Sequence, residues 1–355
     1  MDKVVVLMNL GSPDSTAVKD VRKYLRQFLM DGRVIDVPAF FRALLVKGII
    51  VPFRAPKSAK AYKKIWMDEG APLIWYTEQL AKALEEQGDD LHLYYGMRYG
   101  NPDPQSIYRQ IQAKHPDTDR VLVIPLYPHY AMSSYETAVV YAEEEWNKGN
   151  YSFELDYLGP VYQEKRYLHA LAKSIEPYLD QDYDKLLFSY HGVPKRHILK
   201  GDCTGEHCFK VEDCCHQPSA AHQFCYRHQC VTTTEKVTEM LGISKDKWMF
   251  SFQSRLGTDE WLQPYTAKVL EELPEQGVKK LLVACPAFVS DCLETIEEIS
   301  MEGKEEFLEA GGESFEQIPC LNVQQVWIDC LQSYINDYFS GDRSLLLPKE
   351  ELMTP

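Results

Sequence analysis

The chain has 355 residues, with 38 basic against 53 acidic side chains and a formal charge of −15, so it lacks the basic stripe that nucleic-acid phosphates require. Its length favours two domains over one. Its apolar stretches fall short of the roughly 18–20 residues that span a bilayer, and the start has no basic segment followed by a long apolar run and cleavage site, so a cytoplasmic location with reduced thiols is expected.

In chain order, Val4–Asn9 reads as a strand and Thr16–Leu29 as a helix. The segment 37–56 is strongly apolar, broken by Arg42, Lys47 and Gly48 and fenced by prolines. It reads either as a buried helix or as an exposed apolar lip that meets a membrane surface or a greasy ligand, with basic residues at the headgroups. Helical periodicity follows at Ile74–Gln87, Pro104–His115, Ser134–Lys148 and Glu164–Leu179, with strands at Leu91–Gly96, Val121–Pro125 and Phe153–Tyr157. The second half has strands at Lys185–Tyr190, Trp248–Gln253, Lys280–Cys285 and Glu316–Leu321, and helices at Thr232–Leu241, Gln263–Leu273, Asp291–Ala310 and Val323–Phe339. Such alternation predicts parallel sheets with helices on both faces. The two sets of four strands resemble each other in order. This predicts an α/β chain of two similar Rossmann-like, doubly wound domains, 1–160 and 161–340, with a ligand cleft between them beyond the strand carboxyl ends, and a loosely held tail, 341–355. With no G-x-G-x-x-G or Walker loop, no nucleotide is expected.

Four strand-end turns carry chemically equipped residues: Met8-Asn9-Leu10-Gly11-Ser12-Pro13, Gly96-Met97-Arg98-Tyr99-Gly100-Asn101-Pro102, Pro125-Leu126-Tyr127-Pro128-His129-Tyr130 and Phe188-Ser189-Tyr190-His191-Gly192-Val193-Pro194. One such turn is ordinary punctuation, whereas four at the face where α/β sites form are not. His191, at a strand end and before a glycine, reads equally as a satisfied core residue or as a group that removes a proton or ligates a metal. Glu294, Glu298 and Glu302 fall at i, i+4 and i+8 on one helix face if Asp291 caps it. They are either a solvated acidic stripe near a helix start or a path for cations or protons, since like charges at that spacing repel. Trp261, in a loop, reads as core packing or as a flat wall for a planar ligand. Six cysteines, Cys203, Cys208, Cys214, Cys215, Cys225 and Cys230, crowd into 28 residues among His207, His216, His222 and His228. The stretch has too few aliphatics to fold by burial, so it is either a disordered thiol-rich loop or a site where four thiolates holding zinc or a [2Fe–2S] cluster supply the missing stability.

Together these motifs resemble the ferrochelatase family, whose enzymes insert ferrous iron into a porphyrin in haem synthesis. The carriers are Leu7 to Pro13, Tyr62 to Trp66, Met97 to Pro102, Tyr127 to Tyr130, Phe188 to Pro194, Phe252 to Arg255, Trp261 to Thr266 and Ser290 to Thr295, in family order from about residue 3 to 335. The resemblance implies two Rossmann-like halves of the class II chelatase kind around a porphyrin cleft. It implies His191, Glu294 and Glu298 as catalytic groups, and His191, Glu294 and Glu302 as contacts for the incoming Fe²⁺. It further implies Arg98, Tyr130, Ser189 and Trp261 on the porphyrin, and 37–56 as an apolar lip through which porphyrin exchanges with membrane. Lys63, Lys64 and Arg98 are nominated for the substrate's carboxylates. The insertion 199–231 looks like the segment by which some bacterial members bind a [2Fe–2S] cluster, its four ligands among the six cysteines. Cys230 precedes a Thr-Thr-Thr run that cluster-free relatives also carry after a cysteine. Animal members have His where this chain has Cys292, so no role is carried to that position.

Porphyrin metallation must remove two pyrrole protons and strip water from Fe²⁺, with no redox change and no nucleotide. The implied activity is Fe²⁺ insertion into protoporphyrin IX to give protohaem, in the cytoplasm or peripherally on the inner membrane. The alternatives are a chelatase for coproporphyrin III or sirohydrochlorin, or a non-enzymatic iron–sulfur or haem-binding sensor, which leaves the glutamate ladder without a purpose. Oligomeric state and iron donor leave no mark in the sequence.

Overall fold

The computed structural model describes residues 2–348 apart from Asp89, Leu256 and Thr258; the end of the predicted tail, 349–355, lies outside the described residues. The chain divides into two compact units. One comprises Met1–Leu126, Met132–Gly159 and Leu331–Pro355, the other Tyr127–Ala131 and Pro160–Cys330.

In the first unit, β1 (Lys3–Asn9), β2 (Leu91–Met97), β3 (Arg120–Pro125) and β4 (Glu154–Tyr157) form a parallel sheet ordered β2-β1-β3-β4. Val4, Val5, Val6, Leu7 and Met8 are all fully buried, as expected of a strand covered by helices on both faces. The helices are α1 (Val18–Leu29), α2 (Ala39–Leu44), α3 (Val51–Ile65), α4 (Pro72–Glu85), α5 (Pro104–Lys114) and α6 (Thr137–Asn147). Gly11, just past β1, has φ +105°, and a Cβ there would lie 1.8 Å from the Tyr99 carbonyl oxygen, so only glycine lets these strand-end turns meet.

The segment 37–56 is helical but not buried. α2 runs through a π-helical stretch, Leu45–Ile50, into α3. Phe40, Phe41, Leu44, Ile49 and Phe53 are between 56% and 78% exposed, which overturns the buried reading. Arg42 does not reach outward either: its guanidinium donates to the carbonyls of Ile35 (3.1 Å) and Val37 (3.0 Å). The described part of the tail is fastened, contrary to expectation. Gly159 N–H donates to Leu345 O at 2.8 Å and Leu347 N–H to Tyr157 O at 2.9 Å, beside β4.

In the second unit, β5 (Lys185–His191), β6 (Trp248–Gln253), β7 (Lys280–Ala284) and β8 (Ser314–Gln317) are parallel in the order β6-β5-β7-β8, repeating the first sheet's order. The helices are α7 (Lys165–Ile175), α8 (Lys195–Gly201), α9 (Tyr226–Met240), α10 (Thr266–Glu272) and α11 (Lys304–Glu309); α12 (Gln325–Ser340) begins in this unit and from Leu331 belongs to the first. Strand β8 starts two residues earlier than predicted and stops four residues short. The apolar residues beyond it, Ile318, Cys320 and Leu321, are buried in its exit loop, so apolarity there marks burial rather than ladder pairing. Alternation along β5 assigns its faces. Leu187 packs with Val269 and Leu270 of α10, whereas the Tyr190 hydroxyl meets Thr234 of α9 at 2.8 Å. Ser189 and His191 therefore lie on the α10 face.

Candidate active site and cysteine pocket

His191 is the last residue of β5, half-buried, and pairs in register with Gln253, the last residue of β6. The peptide joining His191 to Gly192 is held at both ends. Its carbonyl accepts from the Tyr226 hydroxyl at 2.9 Å, and its N–H donates to Gln253 O at 2.7 Å. The His191 Nδ1 pairs with the Gly192 carbonyl at 2.6 Å, so the ring's orientation follows the main chain. A Cβ on Gly192 would meet Gln253 O at 2.9 Å and Ser254 O at 3.1 Å, which explains the glycine after this histidine. Downstream, Val193 O accepts from Leu262 N–H (3.0 Å) and Lys195 N–H donates to Glu260 O (2.8 Å). These bonds bring half-buried Trp261 against the Gly192 turn.

The acidic ladder is tied to the same strand ends by two residues for which the sequence reading assigned no role. Gln253 accepts from the buried Ser189 hydroxyl (2.9 Å) and donates through Nε2 to the Glu294 carbonyl (3.0 Å). Ser254, at φ +59°, donates to Glu298 Oε2 at 2.5 Å. The only sequence signal for either is their place in the Phe252–Arg255 motif. Residues Glu294–Gly303 are π-helical rather than α-helical, a form that recurs at functional sites. Glu294 and Glu298 are half-buried and Glu302 is exposed. Asp291 does not cap this helix by itself: its carboxylate accepts from Thr295 (2.9 Å) and Asn322 (2.7 Å), fastening the helix start to the loop after β8.

The other expected site residues divide. Ser189 has no exposed surface and its hydroxyl also meets Thr266 at 3.0 Å, so it supports Gln253 from behind instead of lining a pocket. Tyr130 donates its N–H to Gln229 Oε1 at 2.6 Å and packs edge-on to Phe224. In the first unit, the Arg98 guanidinium is largely enclosed, bonded to Asp31 and Thr137 (2.7 Å) and sandwiched by the rings of Tyr99 and Tyr141. Burial raises the Asp31 carboxyl, but Arg98, Thr137, Arg33 N–H and Tyr99 outweigh it and hold it below its ordinary range. Lys63 and Lys64 are exposed on α3.

Four of the six clustered cysteines, Cys208, Cys214, Cys215 and Cys225, are buried together, with Cys203 exposed. The thiols act on one another, Cys208 with Cys225 and Cys215 with Cys214. The hydrogen bond to Cys225, then burial, drives the Cys208 thiol far up. The reciprocal bond, helped by N–H groups at the start of α9, holds Cys225 down despite its burial. Burial pushes Cys215 up to about 12, with Arg227 opposing; Arg227 Nη1 lies 3.1 Å from its sulfur. Asp202 shapes the loop before them, accepting from the N–H groups of Thr204, Gly205, His207 and Cys208 at 2.8–3.2 Å. Cys230 sits fully buried inside α9.

Two doubly wound parallel units, with a histidine closing the second strand set beside a glutamate-bearing wide helix, define a metal chelatase of the class II fold. The fold is shared with the solved structure of SirB from Bacillus subtilis with Fe³⁺, at a TM-score of 0.53 and 8% identity over 95% of each chain. The sequence profile named Ferrochelatase matches residues 2–338. Relatives named Ferrochelatase include one from Opitutus terrae, 48% identical over 96% of this chain and 99% of its own, and one from Pseudomonas fluorescens Pf0-1, 46% identical over 93% and 96%. The chain belongs to the ferrochelatase family.

Proposed function

We propose that this enzyme inserts Fe²⁺ into protoporphyrin IX to form protohaem, the terminal step of haem synthesis, with His191 as proton acceptor. Family membership supports the reaction. The observation that carries the site is the chain of bonds from the β5–β6 ends to the ladder: His191 beside Gln253, Gln253 on Glu294, Ser254 on Glu298. In this reading the His191 imidazole takes the pyrrole protons. Glu294 and Glu298 pass protons and Fe²⁺ between the ring and exposed Glu302. Trp261 and Tyr130 offer flat faces to the macrocycle. Glu294 orients the histidine, and the rigid Gly192 turn keeps the ring from swinging away.

The exposed aromatic helix around Phe40, Phe41 and Phe53 is proposed as the lip that rests on a membrane surface and admits the poorly soluble porphyrin. No helix of the described residues is long and apolar enough to cross a membrane, so the contact proposed is peripheral, on the cytoplasmic side.

Cys208, Cys214, Cys215 and Cys225 are proposed as the holders of a [2Fe–2S] cluster. Their donor set fits: four buried sulfurs arranged as two pairs, one thiol already held down and an arginine N–H aimed at another. When bound, the cluster supplies a cross-link for a segment that has little apolar core of its own. Exposed Cys203 and core-buried Cys230 stand outside the set.

The test is anaerobic Fe²⁺ insertion into protoporphyrin IX, followed by absorbance. His191→Ala is expected to lose about 10²-fold or more in kcat, the scale of a general base. Near-normal turnover by that variant would remove His191 from the mechanism.

A further inference from the structure

We infer that Tyr226 is a positioning residue that couples occupancy of the cysteine pocket to the main chain of His191. The inference rests on the proposed cluster and adds a path that the cluster reading does not contain.

Helix α9 has two working faces at its first turns. Tyr226, Cys230 and Thr234 lie at i, i+4 and i+8, on one face. Tyr226 donates to His191 O at 2.9 Å and Thr234 meets Tyr190 OH at 2.8 Å, so this face rests on β5. Cys225, His228 and Val231 lie on the other. Cys225 is the helix N-cap and its sulfur accepts from His228 N–H at 3.5 Å. His228 Nδ1 pairs with Cys215 O at 2.6 Å, Arg227 donates to Cys215 Sγ, and Val231 packs on Cys214 and Cys215. The helix start is thus fastened at once to the sulfur pocket and to the catalytic strand.

The strand end is the sensitive party. The same peptide that Tyr226 holds by its oxygen is held by Gln253 through its N–H, and the His191 ring pairs with the next carbonyl. Releasing the oxygen lets that peptide rotate and takes the ring with it. Emptying the pocket removes the group that would join Cys225 to the other sulfurs, and with it one anchor of the α9 start. The displacement reaches His191 through one residue, because Tyr226 follows Cys225 directly.

The experiment uses the full chain with its cluster reconstituted anaerobically from iron and sulfide. It measures amide hydrogen exchange at Gly192, the visible cluster bands, and steady-state kinetics with protoporphyrin IX and Fe²⁺. Removing the cluster from wild type, or blocking its assembly by Cys225→Ser, should speed Gly192 exchange several-fold. Tyr226→Phe should keep the cluster bands, show fast Gly192 exchange with or without cluster, and lose about fivefold in kcat with little change in porphyrin KM, the scale of one hydrogen bond. If cluster removal speeds Gly192 exchange equally in wild type and Tyr226→Phe, the coupling does not run through Tyr226 and the inference fails alone. If wild type never develops cluster bands, the cluster reading fails and takes the inference with it.

Discussion

Ser254 separates two effects that usually travel together. It sits at φ +59°, where an L-residue is less favourable than glycine by about 1 kcal/mol, and its hydroxyl donates to Glu298 at 2.5 Å. A hydrogen bond to a charged group contributes about 1.5–3 kcal/mol, which solvent screening at a half-buried carboxylate reduces to about 1 kcal/mol. Ser254→Ala removes the bond and keeps the strain, so it should destabilise by about 1 kcal/mol. Ser254→Gly removes the bond and relieves the strain, so its stability should match wild type within about 0.5 kcal/mol. Both remove the Ser254 hydroxyl from Glu298, and both should therefore lower kcat about equally, by roughly fivefold, with porphyrin KM unchanged. Urea unfolding measures the first pair of numbers and anaerobic Fe²⁺ insertion the second. Equal destabilisation by the two substitutions would show that the left-handed backbone carries no strain. Full kcat in both would remove the Ser254–Glu298 bond from the catalytic path.

Cys→Ser at positions 208, 214, 215 or 225 should each abolish the cluster bands, whereas Cys203→Ser should leave them; loss of the bands on changing Cys203 would overturn the proposed ligand set. Replacing Phe40, Phe41 and Phe53 by Ser removes three rings at 62–78% exposure. At roughly 1 kcal/mol each, allowing for shallow insertion, affinity for lipid vesicles should fall about 10²-fold by sedimentation. Asp31→Asn leaves the enclosed Arg98 uncompensated and should cost about 3 kcal/mol at pH 7 by urea unfolding. Because the Asp31 carboxyl is held below its ordinary value, its contribution is complete above about pH 4 and fades as pH falls toward the folded value, so wild type and variant should converge in acid.

Repeating strand-and-helix periodicity made the two doubly wound units legible, since strands such as Val4–Met8 are buried on both faces and read as unbroken apolar runs. The same signal misled at Ile318–Leu321, where burial in a loop imitates a strand. Periodicity also could not tell an exposed aromatic helix from a buried one at Phe40–Phe53, because apolar content reports what a residue prefers and not what covers it. His191 and the glutamates could be picked out because strand ends and four-residue spacing are local patterns. Gln253, Ser254 and Tyr226 were not, because their roles are bonds to residues 35 to 44 positions away, which no window along the chain contains. Ser189 shows the converse: a motif residue two positions before the histidine yet on a fully enclosed part of its strand, where it holds another side chain and has no surface to offer a substrate.

The wide helix is where local preference and architecture disagree. An α-helical Glu294–Glu298–Glu302 row would stack like charges one turn apart, at a cost of a few tenths of a kcal/mol per pair. A π-helical turn closes on the fifth residue instead of the fourth and gives up regular hydrogen bonding, so it too is unfavourable by itself. Both costs fall in one ten-residue segment, and both are met from outside it: the Glu294 carbonyl takes the Gln253 amide, Glu298 takes the Ser254 hydroxyl, and Asp291 is fastened by Asn322. A purely structural helix has no need of such outside support, since straight α-geometry with interleaved lysines would be more stable. Local preference alone therefore does not account for this segment: its charge row and its helix form are both unfavourable, and both are braced from outside against the end of a histidine-bearing strand.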